Sequence, residues 1–316
     1  MKHQAVSLHQ FLQEYSYKYS FEPFLFLQPQ HLLLQEGKDV WILFAEKKQK
    51  IEATMSLFLE NEIAYSPLRM SFGGVMCASN LSYADIEQFV DFVISFCRSK
   101  KIKFLKITAY PFSYAPDASA ITTHIFLQKG FLVTRYELTH FLDTEGDFES
   151  KLHHSARRRL KKCQKNKFHF ELWNNPDLYF VYDFVTKNRQ RKNYPVSMSF
   201  ESFQKTLSSF PENYLVFVLR NGTEIIALTV AVVINKHILY NFYPADKETY
   251  LQYSPVITLL EGVYHFAQKQ GFRILDLGIS SENSLPNYGL IRFKENLGSH
   301  SALKLSFEKQ IVSDEL

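Results

Sequence analysis

The sequence predicts an α/β protein with mixed sheets, built from two similar units in tandem. Three observations carry this. The chain has 316 residues, more than one modest core accommodates and comfortable for two units of about 150 residues each. Short strands come in threes, each group followed by an amphipathic helix and a further strand, the order of a mixed sheet covered by helices. This order then occurs twice, at an offset of about 170 residues, so internal duplication is the simplest explanation.

In the first unit, residues 40–46 (VWILFAE), 51–59 (IEATMSLFL) and 62–66 (EIAYS) read as an antiparallel meander, separated by charged or Asn-containing turns. In SYADIEQFVDFVISFCRSK, Ser82 can cap a helix whose Ile86, Phe89, Val90, Val93, Ile94 and Cys97 recur at helical spacing. Residues 102–110 (IKFLKITAY) return to strand alternation, and a helix around 119–129 with a strand around 131–140 closes the unit. The second unit repeats the schedule. YLVFVLR at 214–220, TEIIALTVAVVI at 223–234 and HILYNFY at 237–243 form its meander, a helix runs from Pro255 to Gln270, and FRILDLG, NYGLIRFKENLG and SALKLSFE give strand, helix and strand. Leu105 and Ile107 fall against Leu275 and Leu277, and Gly130 falls close to the place of Gly298. The expected domains are 1–145 and 146–316, the second opening with helices over 176–192 and 199–210.

Composition narrows the function classes. With 46% apolar residues, 29 Phe and 18 Tyr, each unit can fill a core. The N-terminal MKHQAVSLHQFLQEYSYKYS has no apolar run of signal-peptide type, and no stretch approaches the roughly 18 uncharged residues of a spanning helix. The expected location is the cytoplasm, without anchor. Cys77, Cys97 and Cys163 show neither CxxC spacing nor a disulfide framework, and His153 and His154 are adjacent rather than at ligand spacing, so no metal is expected.

The net charge of +4 is mild, but residues 151–167 (KLHHSARRRLKKCQKNK) hold eight Lys or Arg and no acid. Such a run suits nucleic acid, an anionic substrate, cofactor phosphates or simply solvent. Neighbours on a helix differ by about 100 degrees, so only a subset, Arg158, Lys161 and Lys162, is expected to meet an anionic substrate. Ser254, Pro255 and Val256 open a helix, where backbone N–H groups could meet phosphates or Ser254 could merely cap. No glycine fingerprint precedes them, which excludes a P-loop and a dinucleotide motif.

Strand alternation in HILYNFYPA puts Leu239, Asn241 and Tyr243 on one face and Ile238, Tyr240 and Phe242 on the other, so either face offers a phenol as proton donor or acceptor. The densest polar group is Asp276, Gly278, Ser280, Glu282 and Asn283, followed by Asn287, Tyr288, Arg292, Lys294 and Glu295. Asp276 ends a buried-looking strand, where open α/β sheets place functional groups. The helix around YGLIRF has little polar face, which points Arg292 or Lys294 at something anionic.

In this order of elements the chain resembles the Gcn5-related N-acyltransferase superfamily, and within it the tandem-domain group that includes the Fem-type aminoacyltransferases of peptidoglycan bridge formation. The resemblance spans nearly the whole chain. The late helix of single-domain members reads Asn, six residues, Tyr, three residues, Gly; here the frame gives Asn287, Lys294 and Gly298, with lysine in place of the tyrosine that donates a proton to the leaving thiolate. The counterpart in the first half is Phe126, which implies one catalytic cleft, in the second domain, and a recognition role for the first. The basic helix SARRRLKK, a Thr-x-x-Arg at Thr186 and Arg189, and DLGIS followed by GLIRFKENLG also resemble the tandem group.

The resemblance gives Asp276, Arg292, Phe293 and Lys294 a functional presumption; taken with the reading of the residues, the catalytic candidates are Lys294, Asp276, Tyr240 and Tyr243, and the substrate-binding candidates Arg158, Lys161, Lys162, Arg189, Tyr288 and Arg292. Ser254, Pro255 and Val256 stand as the candidate donor site. The pyrophosphate loop of thioester-handling members is absent before Pro255. Acyl-CoA is the expected donor and an amine the acceptor. Aminoacyl-tRNA with a peptidoglycan precursor, an acyl carrier protein donor, and a non-catalytic polyanion-binding module remain as alternatives.

Overall fold

The computed structural model describes residues 1–16, 18–35 and 39–311. Two compact units emerge: one of Met1–Leu138, Asn283–Leu285 and the residues from Ala302 onward, the other of Thr139–Glu282 and Pro286–Ser301.

In the first unit, β1 (Lys2–Ser7), β2 (Asp39–Lys47), β3 (Lys50–Glu60) and β4 (Ile63–Ser66) pair antiparallel in that order. β1 carries no alternating apolar pattern strong enough to announce it; it is held by register against Trp41–Glu46. Helix α1 (Tyr83–Ser99) starts at a capping box between Ser82 and Asp85 and buries Ile86, Phe89, Val90, Val93, Ile94 and Cys97, the residues its periodicity picked out. The chain returns as β5 (Phe104–Thr108), parallel to β4, and continues through α2 (Pro116–Gln128) into β6 (Leu132–Asp143).

The second unit begins with α3 (His154–Gln164), β7 (His169–Leu172), α4 (Leu178–Arg191) and α5 (Phe200–Ser209). Its meander is β8 (Tyr214–Asn221), β9 (Glu224–Asn235) and β10 (Ile238–Asp246), with β7 added beside β8. Helix α6 (Pro255–Gln270) packs Ile257, Leu260, Val263, Tyr264 and Ala267 into a core with Ala231, Leu239 and Leu275. β11 (Ile274–Ile279) then runs parallel to β10, and α7 (Tyr288–Glu295) and β12 (His300–Gln310) follow.

The closing strands are exchanged, which sequence order alone does not show. Beside β5 of the first unit lies β12, with Phe307 opposite Ile107 and Ser306 opposite Thr108. Beside β11 of the second unit lies the end of β6, with Leu142 opposite Leu275 and Phe141 opposite Asp276. Each half of the sequence thus supplies the strand that completes the other's unit. Gly130 and Gly298 end corresponding helices with φ of 77° and 75°, so the repeat extends to backbone conformation.

No helix among the described residues is long and apolar enough to cross a membrane. Among the same residues no group of three or more His, Cys, Asp or Glu could hold a metal ion.

Candidate active site

β10 and β11 pair only where Ile238–Tyr240 faces Ile274–Asp276; beyond Tyr240, β10 continues along β9, while β11 stays paired with β6 on its other side. The parallel strands therefore part immediately after Tyr240 and Asp276, and bulges shape both sides of the opening.

On the β11 side the register slips between Asp276 and Ile279, three steps along β11 for two along β6. Gly278 sits in this bulge at φ 76°, which suits a residue without Cβ, and the Asp276 Oδ1 accepts from the Gly278 N–H at 2.6 Å. A Cβ at Gly278 would meet the Tyr240 ring at 3.4 Å, so that ring lies directly over the bulge. The bulge turns two successive carbonyls in one direction, and the Lys294 Nζ donates to both, to Gly278 O and Ile279 O at 2.8 Å each.

Lys294 is 4% exposed on α7. Burial lowers its pKa to about 7, with the Asp276 charge pulling the other way. Next to it, His140 from β6 and Ser280 are both buried and share a 2.8 Å Nδ1···Oγ hydrogen bond. The imidazole pKa falls to about 4, first because of burial and then because of the Lys294 charge.

On the β10 side a bulge corrects the expectation of simple alternation. Tyr240 pairs with Val232 and Tyr243 with Val230, two residues apart on β9, so both tyrosines occupy one face and Asn241, opposite Ala231, the other. The extra residue at Phe242 makes the difference. Tyr243 is buried and hydrogen-bonds Ser197, while Arg189 of α4 lies between the rings of Tyr243 and Tyr194 at 5.4 and 5.8 Å. Burial raises the Tyr243 pKa, opposed by Ser197 and Arg189. Tyr194 accepts from the Asn287 side chain at 2.7 Å, and Asn287 in turn caps α7 through Leu290 N. Loop, helix and strand are thereby joined around Tyr243.

The remaining candidates separate. Tyr288 is 76% exposed and Arg292 exposed, on the α7 face away from Lys294. Ser254 precedes α6 at φ 54°, but its side chain makes no capping bond, contrary to the capping role its sequence position suggested. A left-handed residue cannot aim its hydroxyl as an extended cap does. Pro255 takes the first helical position and is buried, and Val256 is half-buried. Arg158, Lys161 and Lys162 do share one face: with His154, Arg157 and Lys165 they line a groove of about 610 Å³ along α3. Lys162 also reaches Gln252 O at 3.0 Å, just before α6. Arg157 is engaged with the carbonyls of Glu149 and Leu152. Another cavity, of about 630 Å³, is walled by Trp173, Phe180, Phe184, Arg220 and Asp246; none of Lys294, Asp276, Tyr240 or Tyr243 lines it.

Sequence reasoning missed His140, Ser197 and Tyr194. His140 comes from the exchanged strand, and only the repeat alignment hints at it, by setting a histidine against Phe307.

Residues 150–294 match the family model described as "Acetyltransferase (GNAT) domain". The sequence matches no curated protein. Among solved structures, FemX is 10% identical with a TM-score of 0.72, covering 98% of this chain and 97% of that chain. L-PGS from Bacillus licheniformis is 11% identical with a TM-score of 0.58, covering 95% and 90%. A tandem GNAT protein from the clavulanic acid biosynthesis pathway is 10% identical with a TM-score of 0.53, covering 99% and 100%. At such identities the likeness is one of fold. The fold is that of tandem GNAT proteins, and Asp276 and Lys294 both lie within the stretch that the acetyltransferase model matches.

Proposed function

We propose that the chain is an N-acyltransferase that carries an acyl group from a CoA thioester to the amine of a small or peptide-linked acceptor, with Lys294 as its proton-handling group. The observation that carries the reading is the buried Lys294 amine, hung on two carbonyls where β10 and β11 part. With its pKa near 7, the amine has both protonation states available at neutral pH, the condition for taking a proton in one step and returning it in the next. The acceptor nitrogen attacks the thioester carbon, Lys294 takes a proton from that nitrogen, the C–S bond breaks, and the sulfur leaves as a thiol on receiving the proton. Asp276 braces the bulge through Gly278 N, and Tyr240 and Tyr243 line the face along which substrate would lie. Arg189 is the nearest candidate for an anionic part of the acceptor, and Tyr288 and Arg292 would contribute at the rim. The α3 groove and the start of α6 at Ser254–Val256 would hold donor phosphates, with Lys162 between them.

The second reading has aminoacyl-tRNA as donor and a peptidoglycan precursor as acceptor. It is favoured by the FemX-like fold over 98% of the chain and by a groove lined with Arg157, Arg158, Lys161, Lys162 and Lys165, more cations than one pyrophosphate needs. Either donor is made in the cytoplasm, where we place the protein, and the first unit would serve recognition. Thermal-shift and turnover measurements with acetyl-CoA, charged tRNA and UDP-muramyl pentapeptide separate the readings. Stabilisation by acetyl-CoA with amide formation supports the first, and transfer from charged tRNA supports the second. Binding of any polyanion without transfer would leave only a binding module.

A further inference from the structure

A buried imidazole beside a buried lysine is an expensive arrangement unless it does something, since each polar group gives up water. His140 and Ser280 are each 1% exposed, and their hydrogen bond is 2.8 Å long. Ser280 directly follows Ile279, one of the two residues whose carbonyls hold Lys294. Its own carbonyl accepts from the N–H of Asn287, the capping residue of α7, at 3.0 Å. One serine therefore joins β6, β11 and the start of the helix that carries Lys294.

The other unit supplies the control. Aligning Leu275 with Leu105 puts His140 at the place of Phe307, and the helix frame puts Lys294 at the place of Phe126. There the two rings pack 5.1 Å apart in an apolar core, and β5 pairs with β12 in unbroken register. Bulge, histidine and lysine occur together in one copy and are absent together from the corresponding places of the other.

We propose that His140 and Ser280 are positioning residues for Lys294: their hydrogen bond pins the β11 bulge so that the Gly278 and Ile279 carbonyls stay aimed at the lysine nitrogen. The inference rests on the role given to Lys294 above. Asp276 from β11 and His140 from β6 interact electrostatically with that nitrogen, and the Tyr240 ring from β10 lies over Gly278, one of the two residues whose carbonyls hold it. The imidazole is uncharged at neutral pH, so Asp276 alone among these opposes the effect of burial.

The test reads Lys294 directly and needs no substrate. Trace labelling with acetic anhydride from pH 5 to 11, quantified by mass spectrometry of the peptide containing Lys294, gives the pH at which its amine becomes free. In the unaltered chain the midpoint is expected near 7. In His140→Phe, which installs the first unit's residue, and in Ser280→Ala, which deletes one hydroxyl, water reaches the released bulge. Because burial is the larger influence on Lys294, the midpoint should rise by about one unit, a tenfold change in the amine's proton affinity. His140→Gln, able to bond Ser280 again, should restore much of it. A purely structural pair would lower the melting temperature and leave the midpoint in place. Unmoved midpoints in both folded variants would overturn the proposal, and Ser280→Ala decides alone if His140→Phe does not fold. A midpoint near 10 in the unaltered chain would instead sink the role given to Lys294 itself, so the two failures are distinguishable.

Discussion

The two units build one architecture around packed aromatic rings in one copy and around a buried lysine in the other. In the first, the space after β4 is filled from within. Gly73 forms a parallel bridge to Ala109 and bonds Thr108 O at 2.8 Å, and Gly74 N bonds the Ser66 hydroxyl at 3.0 Å. Phe24, Phe72, Tyr110 and Tyr114 pack edge to face around it. In the second, β10 and β11 part over a bulge whose carbonyls hold a lysine. Where the lysine and its histidine neighbour would fall in the first unit, two phenylalanines pack. The apolar version gains dispersion and gives up no hydration; the polar version retains an ionisable group at the cost of desolvating it. Keeping such a group suits catalysis and does not suit scaffolding.

Replacing Lys294 with Met is the strongest way to break the comparison. The variant keeps the stem's apolar bulk and loses the amine. Turnover should fall by about 10² to 10³, as when one charge-handling group is removed from a transition state. An unaffected turnover number in the folded variant would make the second site as inert as the first and turn attention to Tyr240, Tyr243 and Tyr288.

The same variant should gain stability relative to the parent as the pH falls, and the sign of that slope follows from linkage. The Lys294 pKa drops from 10.5 to about 7 on folding, so between these values the unfolded chain binds more protons and stability rises with pH. The penalty is complete below pH 7 and gone above 10.5. Lys294→Met removes this pH-dependent part but leaves the Gly278 and Ile279 carbonyls without their donor, so in denaturant melts the variant's stability relative to the parent should be more favourable at pH 6 than at pH 11 by up to about 5 kcal/mol, on top of a pH-independent cost. A pH-independent difference would mean that the lysine is not desolvated. In the first unit, Phe126→Leu should show no pH slope, losing about 1–2 kcal/mol at every pH through poorer packing while leaving turnover unchanged.

How much of this contrast could be read beforehand differs by residue. α1 and α6 were legible because their burial follows the helical period, and Lys294 against Phe126 was visible from the repeat frame. The flip of Tyr243 was not, because a single bulged residue leaves no mark in an alternating pattern. Nor was His140: strand exchange places it beside residues 140 positions away, and register across such a distance is set by packing rather than by local sequence. Arg292 and Lys294 were equally eligible to face an anion until helix phase put Arg292 outside and Lys294 inside.

The smallest effect concerns donor charge, where the second unit has a feature without counterpart in the resemblance that links the two. Arg158, Lys161 and Lys162 line the α3 groove, whereas Arg159 is exposed and outside it. Arg158, Lys161 and Lys162 are all exposed, so each contact with a phosphate is worth only about 0.2–1 kcal/mol and is screened by salt. Replacing the three together by Gln should weaken binding of CoA, or of a single-stranded oligonucleotide, by a few-fold to tenfold at low salt. The slope of log affinity against log salt should shrink, by about 0.7 per lost contact if the ligand is a single strand. Arg159→Gln should change neither quantity, because its charge points elsewhere on the same helix. If the triple variant and Arg159→Gln behave alike across the titration, the groove is only a solvated helix face. The donor's phosphates would then have to be held by the backbone at the start of α6.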